Sequence, residues 1–236
     1  MSKTAVVTGA GSGVGRAVAL QLASEGWSVG VVGRRAEPLN DTIKLAGDLG
    51  AQMLAIPCDV ADSADVDWMA KAVEQKFGAV TVLVAAAGMN VPKRSWEVLS
   101  AEDYRNVIDT NLSGTFNCVS ALLPGMRREG NGTIVAIVSD AGMAASGKAG
   151  AAYVASKFGQ RGLVQSINAE ERAHGIRAAG IFPGDINTPL LDKRPVPPPA
   201  ESREKMLQVE DVTACVMLAI NLPQRAIIEE LLIRPR

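Results

Sequence analysis

Only two of the 236 residues are tyrosines, and one of them, Tyr153, stands four residues before Lys157. Residues at i and i+4 share one helix face, so this phenol and this ammonium can point into one cleft. Together they can pass a proton to or from an oxygen atom. A phenol with a pKa of about 10 is a poor partner near neutral pH. Lowering it by about three units takes roughly 4 kcal/mol of preferential phenolate stabilisation. One ammonium about 4 Å away supplies about that much at an effective dielectric near 20. Tyr104 has Ile108 four residues on and reads as a surface or interface residue.

A second group of residues suits phosphate. The run Thr8-Gly9-Ala10-Gly11-Ser12-Gly13-Val14-Gly15 joins an apolar strand to a helical stretch. Glycines there let bare amides approach a pyrophosphate, and the helix N-terminus adds its positive dipole end. The strand–turn–helix setting is the one a dinucleotide site requires. Gly9, Ser12, Gly13, Val14 and Gly15 are therefore candidate cofactor residues. The second strand ends in Gly33-Arg34-Arg35, with no acid before Glu37. An acid there suits ribose hydroxyls, whereas arginine suits a 2′-phosphate. Guanidinium groups can fork onto phosphate oxygens. Arg34 and Arg35 thus predict NADP(H) in preference to NAD(H), which stays possible. After the third strand, Cys58-Asp59-Val60 offers a carboxylate to an adenine amino group; Asp59 also suits a helix cap.

The scarce residues exclude other chemistry. The single histidine, His174, rules out multi-histidine metal sites and reads as a helix C-terminal residue. Cys58, Cys118 and Cys215 are scattered, with no CxxC, which suggests reduced thiols and a cytoplasmic protein. The net charge is −1, so nothing electrostatic points to nucleic acid or an anionic membrane. Neither a secretory signal nor a run of about 18 apolar residues is visible. With 47% hydrophobic residues, the chain can bury a sizeable core.

These groups need a scaffold that brings strand ends together. Apolar runs recur at Ala5–Thr8, Ser28–Val32, Gln52–Ile56, Thr81–Ala85, Gly132–Ser139, Ile176–Phe182 and Ile227–Ile233. Most do not alternate, which suits central parallel strands. Helical stretches lie between them at Gly13–Glu25, Ala36–Gly47, Ser63–Phe77, Ala101–Arg128, Ala152–His174 and Val209–Asn221. The alternation predicts one α/β domain over residues 1–236: a three-layer, doubly wound, Rossmann-type parallel sheet of about seven strands. Arg194–Ala200 is proline-rich and reads as a stiff surface loop or part of a lid.

Together the motifs resemble the classical short-chain dehydrogenase/reductase family over nearly the whole chain. TGxxxGxG appears as Thr8, Gly9, Gly13 and Gly15, and YxxxK as Tyr153 and Lys157. Asn111-Leu112-Ser113-Gly114 matches the helix-four asparagine motif, and Ser139-Asp140-Ala141-Gly142 the serine segment. Pro183-Gly184 follows the sixth strand, with Ile186 and Thr188 beyond. The resemblance implies hydride transfer between a nicotinamide and a carbonyl or hydroxyl carbon. Tyr153 would be the general acid or base, and Lys157 would also hold the nicotinamide ribose. Ser139 would polarise the substrate oxygen, and Asn111 would hold a relay water. Ala86, Gly88, Pro183, Gly184, Ile186 and Thr188 would contact the cofactor.

Three departures stand out. The usual NNAG is Ala86-Ala87-Gly88, preceded by Ala85, which predicts altered local support rather than lost chemistry. Ser139 precedes Tyr153 by 14 residues, about one more than is common, with Ser146 as the fallback serine. The last strand ends in Arg234-Pro235-Arg236, without the glycine-rich tail of many members. Substrate loops are expected at about 89–100, 140–151 and 185–200. Lys93, Arg94, Lys148, Lys193 and Arg194 fall there, either as solvated loop charges or as ligands for a carboxylate or thioester-linked phosphate. The resemblance also implies a homodimer or homotetramer through Ala101–Arg128 and Ala152–His174. Open substrates include 3-oxoacyl thioesters, 3-hydroxy acids and sugar alcohols. The alternative is a non-catalytic NAD(P)-binding sensor or scaffold, which would need the phosphate turn but not the proton relay.

Overall fold

The computed structural model describes residues 3–236. Seven parallel strands form one sheet in the order β3-β2-β1-β4-β5-β6-β7. They are β1 (Thr4–Thr8), β2 (Ser28–Gly33), β3 (Met53–Pro57), β4 (Val82–Ala85), β5 (Gly132–Ile137), β6 (Ile176–Pro183) and β7 (Glu230–Ile233). All of β1 and all of β6 are buried, as expected of apolar runs with helices on both faces. Chain order reverses direction at β1, which pairs with β2 on one side and β4 on the other. That switch point opens the crevice in which ligands of such sheets bind.

Two layers of helix cover the sheet. Helices α1 (Gly13–Ser24), α2 (Ala36–Leu45) and α8 (Val209–Asn221) pack on one face through Val18, Leu22, Leu39, Val212 and Val216. Helices α3 (Ser63–Phe77), α5 (Gly114–Glu129) and α6 (Ala151–Glu171) pack on the other through Val66, Met69, Leu122, Met126 and Val164. The helical stretch expected at Ala101–Arg128 is interrupted. Helix α4 (Ala101–Ile108) leads into a π turn at Asp109–Ser113 before α5 begins. Such turns cluster at functional sites, and this one carries Asn111.

Other boundaries shift for local reasons. β5 ends at Ile137, two residues earlier than the apolar run suggested, because Ser139 caps a 3-10 turn at Asp140–Gly142. β7 starts only at Glu230, and its carboxylate is held by the Arg161 guanidinium of α6 at 2.6 Å. α6 ends at Glu171, and His174 is exposed in the 3-10 turn that follows. The proline-rich stretch is irregular up to Pro199, after which a short helix α7 (Ala200–Glu204) forms. Among the described residues, no helix is long and apolar enough to cross a membrane.

Candidate active site

One cavity of about 730 Å³ runs along the strand C-termini. At one end it is lined by Gly9, Ser12, Gly13, Val14 and Gly15, with Ala86 and Gly88 opposite. Close approach explains the glycines. A Cβ on Gly15 would lie 2.5 Å from the Gly9 carbonyl oxygen, and one on Gly9 would lie 2.7 Å from that of Ala86. Gly9 and Gly13 also have positive φ, +66° and +53°. Ser12 is the N-cap of α1, yet its side chain caps nothing, and the first turn holds no acid. The positive end of α1 is thus left for an anion. These features fit the pyrophosphate of a nicotinamide dinucleotide.

The two asparagines of the usual NNAG would fall at residues 85 and 86, where both are alanine, and the chain there is tied to β1 through its backbone. Thr8 Oγ1 accepts the amides of Ala86 and Ala87 at 3.1 and 3.0 Å. Two residues further, at Met89, Asn111 takes over. Its Oδ1 accepts the Met89 amide at 2.8 Å and its Nδ2 donates to the Met89 carbonyl at 3.0 Å. Nδ2 also donates to Ser156 Oγ at 3.0 Å. The fully buried Asn111 side chain is therefore a brace for the chain after β4.

Tyr153, Lys157 and Ser139 line the same cavity, as do Pro183, Gly184, Ile186 and Thr188. The Ser139 hydroxyl faces the Tyr153 phenol closely enough to favour its ionised form. Ser146 lies on the rim of the cavity, exposed. Lys157 is 3% exposed, with Nζ 5.4 Å from the centre of the Tyr153 ring. Nζ donates to the Ile137 carbonyl at 2.9 Å and to Gln160 Oε1 at 2.6 Å. Gln160 Nε2 passes the chain on to Thr115 Oγ1 at 2.7 Å, which donates to the Asn111 carbonyl at 2.8 Å. Gln160 and Thr115 were not singled out by the sequence reading. A glutamine three residues after Lys157, on the same helix face, was the available signal.

Five candidate residues do not line this cavity: Asn111, which lies behind it as a brace, and Arg34, Arg35, Asp59 and Val60. Arg34 and Arg35 are exposed at the end of β2 and make no ion pair with other described residues. Asp59 accepts the Ala61 amide at 3.0 Å, while the cap of α3 is Asp62. Val60 packs against Gly114, where a Cβ would come within 2.6 Å of it. Among the loop cations, Arg94, Lys148 and Arg194 line the cavity, whereas Lys93 and Lys193 do not.

The sequence matches the short chain dehydrogenase family over residues 3–196. The chain belongs to this family. It is 40% identical over 200 residues to the 3-oxoacyl-acyl-carrier-protein reductase FabG of Staphylococcus aureus, covering 81% of this chain and 78% of that protein. It is 34% identical to glycine betaine reductase ATRR of Emericella nidulans over 99% of this chain, which spans only 19% of that longer protein. Among solved structures, an alcohol dehydrogenase from the archaeon Thermococcus sibiricus, complexed with 5-hydroxy-NADP, superposes with a TM-score of 0.87. It is 30% identical, with 99% of this chain and 96% of that one covered.

The electrostatics of this dehydrogenase depart from the simple picture of a lysine lowering a phenol. Burial pushes Tyr153 up, and the Ser139 hydroxyl only partly offsets it. Burial also brings Lys157 down from 10.5 to about 7. Desolvation disfavours both charged forms. Near neutral pH, Tyr153 is thus a protonated phenol, the form that donates.

The Lys157 shift predicts how stability depends on pH. Below about pH 7, folding traps an ammonium in a desolvated place. From about 7 to 10.5 the folded protein has released a proton that the unfolded chain still holds, so stability rises with pH. The gain between pH 7 and about 8.5 is about 1.5 kcal/mol, or roughly 3–6 °C in Tm. Above about pH 9 the trend reverses. Burial raises the thiols of Cys58 and Cys118 to about 12 and also raises Tyr153. The stability those groups contribute is lost once the unfolded chain ionises. Calorimetry across this range checks the rise, and Lys157→Met should flatten it.

Proposed function

We propose that this dehydrogenase is an NADP(H)-preferring carbonyl reductase or secondary alcohol dehydrogenase, with Tyr153 as general acid or base. The observation that carries the reading is a single cavity joining a glycine-lined helix N-terminus to Tyr153, Ser139 and Lys157. When bound, the nicotinamide would supply or accept the hydride. Gly9, Ser12, Gly13, Val14 and Gly15 would hold the pyrophosphate. Lys157, Pro183, Gly184, Ile186 and Thr188 would surround the nicotinamide half, Ala86 and Gly88 would approach the adenosine and ribose side, and Asp59 and Val60 the adenine. Ser139 would orient the substrate oxygen toward the phenol. Asn111 would serve through the Met89 segment that it braces, with a relay water as its further role.

The proton relay speaks against a sensor or scaffold, because cofactor binding alone does not call for Tyr153 against Ser139. A spectrophotometric screen of carbonyls and alcohols with NADPH and NADH tests the reading. Turnover with NADPH is expected; cofactor binding without turnover of any compound would favour the sensor. The proposal extends to a cytoplasmic homo-oligomer. Phe116 on α5 and Phe158 on α6 are 56% and 41% exposed, on the helices expected to pair. A monomer by light scattering at micromolar concentration would overturn that part.

A further inference from the structure

The substrate end of the cavity contains a guanidinium that proton transfer at Tyr153 does not use. Arg94, in the segment between β4 and α4, is only 8% exposed yet lines the cavity. Its Nε donates to the Val91 carbonyl at 2.7 Å, and its Nη2 to the Lys193 carbonyl at 2.8 Å. Two substrate loops therefore fix its position. A third loop fixes it from below. Gly150 has φ +81°, and a Cβ there would lie 2.5 Å from the Arg94 carbonyl oxygen and 2.6 Å from the Arg94 Cβ. Asn90 adds a bond from Nδ2 to the Ala149 carbonyl at 2.9 Å. Arg94 is thus built onto the start of the helix that carries Tyr153.

The charge around Arg94 is unbalanced. Its Nη1 has no hydrogen-bond partner among the described residues. The acids at this end of the cavity are already paired: Asp185 with Arg194, and Asp140 with Arg234. Lys148 adds a further cation at the rim. Burial lowers the Arg94 pKa, and the charge of Arg94 is felt by the Tyr153 phenol. An arginine nonetheless stays protonated. A buried cation without a counter-charge is costly, and a bidentate carboxylate is the partner its planar fork matches.

We propose that Arg94 binds a substrate carboxylate, so that the preferred substrates are short oxo acids and the corresponding hydroxy acids. The inference rests on the hydride-transfer reading above and names the substrate class for that site. In reduction, the bound reduced nicotinamide would supply the hydride for the carbonyl carbon, and Tyr153 would give its proton to the carbonyl oxygen. The products are the hydroxy acid and the oxidised nicotinamide, and Tyr153 regains its proton from solvent. The carboxylate takes no part in bond changes; it fixes the carbonyl against the phenol, as an arginine clamp does.

The test compares acetoacetate and 2-oxobutyrate with their methyl esters, which differ mainly in charge. The wild type should favour each acid in kcat/KM by on the order of a hundredfold. Arg94→Gln should reduce that acid-to-ester ratio to near one, mostly through KM for the acid, and Arg94→Lys should restore part of it. Equal use of acids and esters by the wild type would overturn the proposal, as would an unchanged ratio in Arg94→Gln. A binding arm guards against misfolding of the variant and separates the two readings. Malonate titrated calorimetrically into the NADP⁺-saturated wild type should bind, and should compete with acetoacetate. If esters turn over but malonate does not bind, Arg94 is no carboxylate site while the oxidoreductase reading stands. If malonate binds in an Arg94-dependent way but nothing turns over, the hydride-transfer reading falls and the anion site remains.

Discussion

Tyr153→Phe should lower kcat for carbonyl reduction by about a thousandfold, with little change in cofactor affinity. General acid catalysis by a positioned side chain is typically worth 10²–10⁴. The substitution removes one oxygen and keeps the ring. The ring's contact with Lys157, 5.4 Å from ammonium to centroid, therefore survives. So do the two bonds that hold Lys157, because they run to Ile137 and Gln160 rather than to the phenol. Ser139 loses its tyrosine partner but keeps its bond from the Ala141 amide at 3.2 Å. The fold should be intact, with Tm within a few degrees of wild type. The direction of the Tyr153 shift adds a second signature. A phenol pushed up by burial is ready to donate near neutral pH, which favours reduction. Alcohol oxidation needs the phenolate and should climb with pH well past neutrality. Single-turnover reduction by the variant at the wild-type rate would remove Tyr153 from the mechanism.

The groups that were legible in the sequence are those whose geometry is local. Tyr153 and Lys157 share a helix face by spacing alone. The glycine turn is defined by a strand, a turn and a helix that are contiguous. Helix α8 has the expected bounds, Val209 and Asn221, where a capping box with Gln208 and Asp211 reinforces the periodicity. What stayed hidden depends on pairings distant in the chain. Thr8 supports the backbone of Ala86 and Ala87 from 78 and 79 residues away, a tie that no local spacing announces. Gln160 reaches Thr115 across 45 residues. The π turn at Asn111 was not legible, because one extra residue in a single turn shifts the phase of the apolar pattern without adding any breaker residue to mark the place. Arg94 looked like any loop cation, since burial of a loop residue depends on the three segments that fold over it. The lysine effect on the phenol was overestimated because sequence spacing sets a shared face, not a distance or a degree of burial.

Arg34→Asp should reverse the cofactor preference, weakening NADPH by on the order of a hundredfold while leaving NADH within a few-fold. The two cofactors differ only by the 2′-phosphate, so the contrast isolates that contact. Arg34 and Arg35 suit the role because they are exposed and without ion-pair partners among the described residues. Their place is fixed from both sides. The Ala10 amide donates to the Val32 carbonyl at 3.1 Å, tying the glycine turn to β2, and the Cys58 amide donates to the Gly33 carbonyl at 3.0 Å. The nearby Arg16 is no substitute. Its guanidinium is committed to Thr42 Oγ1 at 3.0 Å and to the carbonyls of Gly11 and Pro38. An aspartate at residue 34 would both remove a fork and place a carboxylate against a doubly charged phosphate. It could also accept from ribose hydroxyls, which supports NADH. Because the site is open to solvent, the wild-type preference should shrink as ionic strength rises. Fluorescence titrations of both cofactors into both proteins, at two salt concentrations, measure all of this. Equal affinities for NADPH and NADH in the wild type would show that the two arginines do no more than solvate the start of α2.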